Sequence, residues 1–551
     1  MRNLFIPILL FFFLCAFGQL PPQSLSLNYK FRVYLKDKGT TTYTLNEPAQ
    51  FLSEQAIERK QRQKVVIDES DFPVSRDYFT LVEKAGGKVV SYSKWFRTII
   101  VQVADSLAIN EILSLPFVDS VKYVWRGTDP TSRHAMRPRL EKPDCTQIEP
   151  FDQPFGFTRD QFTMHNADKL ALAGFKGKGI DVGVIDAGFT NYDVIPWFDT
   201  VDLRGFMNFV PGGDLFAMSD HGTKVLSTMA VSQPGLMMGS APEAAYWLLR
   251  SEDVQSEFPV EEDYWVRAIE YADSLGLDVI NTSLGYNHFD DKELNYSFTD
   301  LTGDVSLMSL AADMAFEKGM LIVVSAGNEG NKPWQKATPP GDAKNVLAIG
   351  AVGTDSIIAS FSSRGLMDDG RIKPDLVSVG RGTVTIGQEG LIGMTNGTSL
   401  SSPFLAGLVA SLWSVNPDLH RSELIKIIKE SSDRYLMPDT VYGNGIPDFH
   451  KAMKEVLSRL NVEEGPITEH SFSVSRLSKN DFLVTLTQPD FSFDAYSVSL
   501  LDESGQLIAS HIFEQESLKI PVSPSLRKTN TFVHLLFKSP YVQKVLRFPF
   551  G

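Results

Sequence analysis

This chain of 551 residues has little cysteine and fewer positive than negative charges. Its cysteines are Cys15 and Cys145, and loss of the first with an N-terminal export signal would leave the second without a partner for an intrachain disulfide. Stability must then come from packing. Lysine and arginine together number 52 against 67 acidic residues, so the net charge is −15. This excess of negative charge argues against binding to nucleic acid or to anionic lipid, because their phosphates would be repelled.

The chain also lacks an apolar run long enough to cross a membrane. The longest run, Leu4 to Phe17, has about 14 residues, whereas a spanning helix needs about 20. It follows Arg2 and ends at Ala16-Phe17-Gly18, which has the small-x-small pattern of a cleavage site. We therefore predict a signal peptide over residues 1–18 and not a membrane anchor. The mature protein is expected to be exported across the inner membrane, without a transmembrane segment, and secreted or attached to the cell surface.

The chain contains three regions that differ in their pattern of apolar and polar residues. Residues 19–150 alternate strand-like and helix-like runs in the order β-α-β-β-α-β, the pattern of ferredoxin-like α+β folds, with a polar insertion of helical character from Pro48 to Lys64. Residues 151–458 alternate buried apolar strands with helices, which predicts an α/β fold with a doubly wound, mostly parallel sheet. Residues 459–551 hold seven short apolar runs between polar turns, which predicts a small all-β sandwich.

A loose stretch joins the first region to the second. It runs from Arg126 to about Phe157, is rich in proline, arginine, aspartate and threonine, and includes the basic residues Arg133, Arg137, Arg139 and Lys142. Such a stretch is either a linker that a protease can cut or an ordinary surface connection, and its composition does not separate the two.

Four short motifs carry residues that are typical of nucleophilic catalysis. Asp186 ends an apolar strand, His221 and Ser399 each begin a helical run, and Asn328 follows another strand between glycines. The four motifs are Val184-Ile185-Asp186-Ala187-Gly188, Asp220-His221-Gly222-Thr223, Ser325-Ala326-Gly327-Asn328-Glu329-Gly330 and Gly397-Thr398-Ser399-Leu400-Ser401-Ser402-Pro403. Taken singly, each has a common structural explanation as a turn or a helix cap. The order Asp, His, Ser is the one that subtilisin-type proteases use.

The chemistry needs these residue types in these settings. A serine hydroxyl is a weak nucleophile, so it needs a base that accepts its proton and a group that orients the base. Ser399 at a helix start presents its hydroxyl openly, and Asp186 at the carboxyl end of a parallel strand lies where ligands bind. We therefore predict that Asp186 orients His221, that His221 is the general base for Ser399, and that Asn328 donates to the oxyanion.

Residues of about 160–455 resemble a subtilisin-like serine protease (subtilase). The resemblance implies that Ser283, Leu284 and Gly285, with Gly327, bind a peptide substrate by its main chain, and that the chemistry requires no cofactor. Family members often bind structural Ca²⁺, for which the loop carrying Asp290, Asp291, Asp300 and Asp304 offers carboxylates, although the spacing matches no EF-hand and a solvated acidic loop is the alternative.

The chain departs from the subtilase pattern at a few positions. Leu400 and Ser401 stand where the family usually has Met and Ala, and the stretch Phe361-Ser362-Ser363-Arg364-Gly365 lacks the Pro often seen after its glycine. Since the swaps at Leu400 and Ser401 are close in volume or small, we expect activity to remain.

The outer regions resemble parts of exported subtilases. Residues 19–150 are similar to their inhibitory propeptides, so the protein's own propeptide is one expected partner. The tail after residue 459 is similar to the sorting domains of bacterial type IX secretion, whose machinery is then a second partner, and a carbohydrate- or protein-binding β domain is the alternative.

The resemblance therefore implies a secreted serine endopeptidase that hydrolyses polypeptides through an acyl-enzyme and is made as a zymogen. The chief alternative is a catalytically silent surface-binding protein on the same scaffold. Acyl transfer or peptide ligation by the same triad is a third possibility. Loops form the walls of the substrate pocket, so the sequence does not predict the cleavage specificity.

Overall fold

A computed structural model describes residues 27–128, 149–463, 467–469, 472–478, 481–487, 492–540 and 543–550. The predicted signal peptide, both cysteines and the four basic residues of the predicted linker lie outside these ranges. The predicted domain boundaries at residues 18, 150 and 458 stay predictions. Within the described ranges, no helix combines the length and the apolar character that a membrane crossing requires.

The N-terminal region is a four-stranded antiparallel sheet with helices on it. Its strands lie in the order β2-β3-β1-β4, and each neighbouring pair is antiparallel. This arrangement confirms the predicted β-α-β-β-α-β pattern, and the polar insertion forms the additional helix α1, which Ser53 caps by accepting the Ala56 N–H. The elements are β1 (Leu27–Leu35), α1 (Glu54–Arg62), α2 (Arg76–Lys84), β2 (Lys88–Ser93), β3 (Thr98–Val103), α3 (Ile109–Leu113) and β4 (Val118–Thr128).

The central region is built on a seven-stranded sheet in which every neighbouring pair is parallel. Its first half comprises α4 (Arg159–Met164), α5 (Ala167–Leu172), β5 (Asp181–Asp186), β6 (Asp202–Asn208), α6 (His221–Ala230), β7 (Ser232–Gln233), β8 (Met237–Met238), β9 (Ala245–Arg250), α7 (Val260–Leu275) and β10 (Val279–Thr282). Its second half comprises α8 (Leu307–Glu317), β11 (Leu321–Ser325), β12 (Leu347–Val352), β13 (Gly365–Leu366), β14 (Ile372–Lys373), β15 (Leu376–Val379), β16 (Thr383–Ile386), β17 (Ile392–Thr395), α9 (Thr398–Trp413), α10 (Arg421–Ser431) and α11 (Phe449–Ser458).

The strands of this sheet have the order β15-β12-β11-β10-β5-β9-β6, so strands that are far apart in the sequence lie side by side. Strands β10, β11 and β12 are buried along their whole length, as the unbroken apolar runs predicted for a sheet covered on both faces. One apolar core lies under α6, α9 and α11, and a second lies under α7 and α8. Because β5, β10 and β11 are neighbours, the segments that follow them meet at one edge of the sheet.

The C-terminal region consists of two four-stranded antiparallel sheets packed face to face. One sheet has the order β18-β19-β20-β23 and the other the order β22-β21-β24-β25, and side chains of both fill one apolar core. The all-β prediction missed one short helix, α12, because Ser523 and Pro524 form a helix start between two strands. The elements are β18 (Ile467–Thr468), β19 (Phe472–Ser478), β20 (Asp481–Leu486), β21 (Ser497–Asp502), β22 (Leu507–Ile512), β23 (Ser517–Pro521), α12 (Pro524–Thr529), β24 (Phe532–Lys538) and β25 (Gln543–Pro549).

Both outer regions pack against the central one. In the N-terminal region, Arg32 forms a two-bonded ion pair with Asp263 of α7, and both side chains are buried. In the C-terminal sandwich, Lys538 Nζ donates to Glu243 at 3.0 Å, and Gln543 Nε2 donates to the Ser414 carbonyl at 2.9 Å. The three regions thus form one continuous molecule around the central sheet.

Candidate active site

Asp186 and His221 are joined by a short hydrogen bond. Nδ1 of His221 lies 2.7 Å from Oδ1 of Asp186, and Asp186 is fully buried at the end of β5. The same carboxylate oxygen accepts the Ala187 N–H at 2.8 Å, which fixes its orientation. With Nδ1 held in this way, the Nε2 edge of the half-exposed ring is the one available to a substrate or nucleophile.

The start of α6 is fixed by a close contact between two glycines. The Gly222 N–H donates to the Gly188 carbonyl at 3.0 Å, and a Cβ on Gly222 would lie only 2.5 Å from that oxygen. A side chain at Gly222 would therefore push α6 away from the loop after β5. The glycines in these two motifs keep His221 within reach of Asp186.

Ser399 is the second residue of α9 and faces the segment after β10. Its hydroxyl lies 3.5 Å from the Ser283 carbonyl, and Oγ of Ser283 donates back to the Ser399 carbonyl at 3.0 Å. His221 and Ser399 line the same cavity, but within the described part of the chain no hydrogen bond joins His221 to the Ser399 hydroxyl. In this structure the Ser399 hydroxyl is directed to the Ser283 carbonyl and not to His221.

Asn328 is attached to the residue that precedes Ser399. Its Oδ1 accepts the Thr398 N–H at 3.0 Å and the Thr398 hydroxyl at 3.1 Å. Since the amide oxygen is held by Thr398, the NH₂ end remains to donate into the cavity. Gly327 adopts a φ of +105°, which favours glycine, and its N–H donates to the same Thr398 hydroxyl at 3.2 Å.

One cavity of about 390 Å³ contains most of the predicted residues. His221, Ser399 and Asn328 line it, and so do the four predicted substrate-binding residues Ser283, Leu284, Gly285 and Gly327. Asp186 lies behind His221 and is not part of the lining. The structure therefore brings together residues from four separate motifs, as expected for the carboxyl edge of a parallel sheet.

The cavity also has an acidic wall that the sequence did not predict. Glu252, Glu257 and Glu329 line it, together with Tyr286 and Asn287. The run Ser251-Glu252-Asp253 after β9 and the two carboxylates that follow at Glu257 and Glu261 were a visible charge cluster, but nothing in their spacing assigned them to this cavity.

The charges around the cavity shift the pKa values of its titratable groups. Burial lowers the pKa of His221. The Asp186 carboxylate, through its charge and its hydrogen bond, and to a smaller degree Glu252 outweigh this effect and raise the pKa to about 9. Burial raises the pKa of Glu252 to about 7, although the nearby His221 opposes this shift. The imidazole is therefore stabilised in its protonated form, which is the form that proton abstraction from serine generates.

The four aspartates considered for Ca²⁺ do not converge. Asp290 accepts the Glu257 N–H, Asp291 pairs with Arg126, Asp300 caps the turn at Ser297, and Asp304 pairs with Lys344. Throughout the described ranges, no group of three or more histidine, cysteine, aspartate or glutamate side chains is arranged to hold a metal ion. Among the described residues, these four aspartates therefore do not form the calcium site that the family resemblance left open.

The two departures from the subtilase pattern in α9 are buried, and neither lines the cavity. Leu400 is buried, and the hydroxyl of Ser401 donates to the Thr398 carbonyl at 2.9 Å inside the helix. Ser363, in the stretch without proline, accepts the Glu329 N–H at 3.0 Å and so supports the loop that carries Asn328.

Comparison with known protein families agrees with this architecture. Residues 177–445 match the model of the subtilase family (peptidase S8), and residues 30–139 match the peptidase S8 propeptide domain of Bacteroidota. Subtilisin E of Bacillus subtilis (strain 168) is 28% identical over 290 residues, covering 52% of this chain and 68% of that protein.

Two further relatives cover similar parts of the chain. Subtilisin DY of Bacillus licheniformis is 29% identical over 291 residues, covering 52% of this chain and 95% of that protein. The membrane-bound transcription factor site-1 protease of Mus musculus is 29% identical over 273 residues, covering 47% and 24% of the two chains.

Proposed function

Because this chain contains a serine protease domain of the subtilase family and an S8 propeptide domain before it, we propose that it is a secreted endopeptidase made as a zymogen. Ser399 is the nucleophile, His221 the general base, Asp186 the residue that orients His221, and Asn328 an oxyanion donor. The observation that carries this proposal is the 2.7 Å bond between Asp186 and His221 at the rim of a cavity that Ser399 and Asn328 also line.

The reaction follows from this arrangement. Oγ of Ser399 attacks the carbonyl carbon of the scissile peptide bond while its proton passes to Nε2 of His221. The negative oxygen that forms accepts hydrogen bonds from the Asn328 NH₂ group and the Ser399 N–H. The imidazolium then gives the proton to the leaving amine as the C–N bond breaks, which leaves an acyl-enzyme, and a water molecule repeats the sequence to release the acid.

The extended segment after β10 is the proposed binding strand for the substrate. Ser283, Leu284 and Gly285 follow the buried strand β10 and run along the cavity. A peptide that lies beside this segment can pair with it by main-chain hydrogen bonds, which needs little from its side chains. This mode favours cleavage within unfolded segments or loops of polypeptides.

The N-terminal region is the proposed inhibitory propeptide. Glu270 of α7 accepts the N–H groups of Lys94 and Trp95, both at 2.9 Å, and Lys60 pairs with Asp273 at 2.8 Å. These contacts hold residues 27–128 on the protease region, and a cut in the chain between the two regions is the first step of release. For the C-terminal sandwich we propose a sorting role after export, which deletion of residues 463–551 would test through the location of the protease.

Labelling with a fluorophosphonate tests the catalytic proposal. Purified protein should be labelled and should hydrolyse unfolded casein, whereas Ser399→Ala should do neither because the hydroxyl that forms the acyl-enzyme is gone. His221→Ala serves as a second variant that keeps the nucleophile but removes the base. Equal labelling of the wild type and Ser399→Ala, or no hydrolysis by the wild type after removal of residues 27–128, would overturn the proposal.

A further inference from the structure

Two carboxylates in the proposed active-site cavity have no ion-pair partner among the described residues. Glu252 is the second residue after β9, and Glu257 lies in the loop that leads to α7; both line the cavity with His221 and Ser399. On the other side of the cavity, Glu329 is already neutralised by Lys332 at 2.8 Å. Within the described ranges, neither Glu252 nor Glu257 lies within 4 Å of a basic side chain.

The loop that carries these carboxylates is held in place by hydrogen bonds. The buried Glu261 accepts the Asp253 N–H at 2.8 Å and the Phe258 N–H at 2.9 Å. Two hydrogen bonds join Glu257 and Asp290: the Asp290 N–H donates to the Glu257 carbonyl at 2.9 Å, and the Glu257 N–H donates to the Asp290 carboxylate at 3.2 Å. Glu252 and Glu257 therefore project from an ordered loop into the cavity.

A buried hydroxyl in the same cavity has no hydrogen-bond partner in the part of the chain that the structure describes. Tyr286 follows the proposed substrate strand, is 2% exposed, and its hydroxyl makes no hydrogen bond within the described part of the chain. Its main-chain N–H donates to the Pro339 carbonyl at 3.0 Å, so the residue is fixed. An unpaired buried hydroxyl is costly, and a donor from a bound ligand would satisfy it.

The electrostatics of this wall favour a cation. Burial raises the pKa of Glu257 to about 8, with further contributions from Glu252 and Asp290. Burial also raises the pKa of Glu252 to about 7. The positive charges that oppose this rise belong to His221 and Arg250, which lie farther away than an ion pair. Arg250 itself donates to the main chain at Ala187 and Gly212. A bound positive charge would relieve both carboxylates.

We infer that Glu252, Glu257 and the Tyr286 hydroxyl form a subsite that takes a lysine or arginine side chain of the substrate close to the scissile bond. This inference rests on the proposed endopeptidase function and names its substrate class. Ammonium and guanidinium groups only donate hydrogen bonds, and all three groups of the subsite can accept them. A divalent metal is disfavoured, because no three carboxyl or imidazole groups converge there within the described residues.

The sequence after β4 is rich in basic residues, and the end of β4 lies beside the loop that carries Glu257. Nε1 of Trp125, close to the end of β4, donates to Oγ of Ser256 at 3.2 Å, so β4 ends beside the loop that carries Glu257. The sequence that follows contains Arg133, Arg137, Arg139 and Lys142. Its own predicted linker thus has the residue type that the subsite would select.

Matched peptides test the subsite. Each pair differs only by arginine against citrulline, its uncharged isostere, at one position flanking the scissile bond, and kcat/KM is measured with the mature enzyme. The active sites are counted with a fluorophosphonate. We expect a preference for arginine of about tenfold or more at one position, the size of one charge-assisted hydrogen bond.

Variants connect the preference to the named residues. Glu252→Gln/Glu257→Gln together should reduce the arginine-to-citrulline ratio to about twofold or less while fluorophosphonate labelling continues, and Tyr286→Phe should reduce it less. Glu329→Gln, in the same cavity but paired with Lys332, should keep the wild-type ratio.

Three outcomes are distinguishable. An enzyme that labels and cleaves but shows a ratio near one at every position overturns the subsite. A wild-type ratio that persists in the double variant overturns the assignment to Glu252 and Glu257. Absence of both labelling and cleavage overturns the proposed function instead. If the double variant is not labelled, the single variants Glu252→Gln and Glu257→Gln, measured in the same way, decide the assignment.

Discussion

The two outer regions hold the protease region by different means. The N-terminal region places buried cations against buried acids of α7, with Arg32 against Asp263 and Lys60 against Asp273, and these side chains are at most 3% exposed. Among the described residues, the C-terminal sandwich forms one partly exposed ion pair with the protease region, Lys538 with Glu243. It adds neutral hydrogen bonds such as that from Gln543 to Ser414, and it packs apolar side chains into the protease core.

Under the proposed zymogen function, the N-terminal contact is temporary and the C-terminal contact is lasting. A buried ion pair is stable only while both partners are present, because each charge alone must be returned to water. When the N-terminal region leaves, the acids of α7 become hydrated and their charges are no longer a penalty. Apolar packing contributes to both contacts, through Val124 and Trp125 in the N-terminal region and through Leu501, Leu536 and Val545 in the sandwich. The two interfaces therefore differ in their buried charges.

The largest expected effect is that of Ser399→Ala on release of the N-terminal region. Loss of the nucleophile should reduce turnover by about 10⁶-fold, as in subtilisin. Self-cleavage should then stop, so that purified Ser399→Ala keeps residues 27–128 while the sandwich stays in both forms. Mass spectrometry of the two proteins checks this, and a fully processed Ser399→Ala protein would show that another protease cuts the chain.

Asp273→Ala should weaken the temporary contact strongly. The carboxylate of Asp273 faces Arg59, Lys60 and Lys94, so its removal leaves buried cations without a counter-charge. In the uncleaved Ser399→Ala background we expect a loss of about 3–5 kcal/mol of unfolding free energy. Chemical denaturation measures this loss.

The matched control is the same substitution in a chain that lacks the N-terminal region. There Asp273 no longer meets the three cations, so the loss should be much smaller. Equal losses with and without residues 27–128 would mean that Asp273 serves the protease region itself.

The protein without its N-terminal region should show a pH profile of kcat/KM that is set by His221. Its pKa of about 9 reflects Asp186 and Glu252, which outweigh burial and the nearby Lys224. Since the base must be neutral, kcat/KM should rise up to about pH 9 and be roughly 100-fold lower at pH 7. Glu252→Gln removes a negative charge and should lower the midpoint, as stopped assays across pH 6–10 would reveal.

Glu243→Gln should have the smallest effect. Its partner Lys538 also donates to the Gly174 carbonyl, and both side chains of the pair reach solvent. We expect a loss of about 1 kcal/mol or less, and no release of the sandwich. A loss as large as that of Asp273→Ala would contradict the contrast between the two interfaces.

Local motifs made the central features predictable. Asp186 at a strand end and His221 and Ser399 at helix starts each have their setting encoded by immediate neighbours, and the parallel sheet brings those settings to one edge. The ion pair between Arg32 and Asp263 joins residues that are 231 positions apart, so no local sequence pattern predicts it.

The acidic wall escaped prediction for the same reason. Glu252 and Glu257 come from the loop after β9, and Tyr286 from the segment after β10, so their meeting depends on how two loops pack. The hydrogen bonds from Glu261 that order the first loop are also absent from any sequence pattern. Loops set the walls of the cavity, while strands and helix starts set its catalytic edge.

The hydrogen bonds from Thr398 to Asn328 couple the proposed oxyanion donor to the proposed nucleophile, because Thr398 directly precedes Ser399. If α9 shifts as a whole when a substrate enters, Ser399 and the Asn328 amide shift with it, and the spacing between them is preserved. Alignment with His221, which is mounted on a different helix, is the adjustment that remains. A movement of α9 therefore preserves the position of Asn328 relative to Ser399, but it changes the position of His221 relative to Ser399.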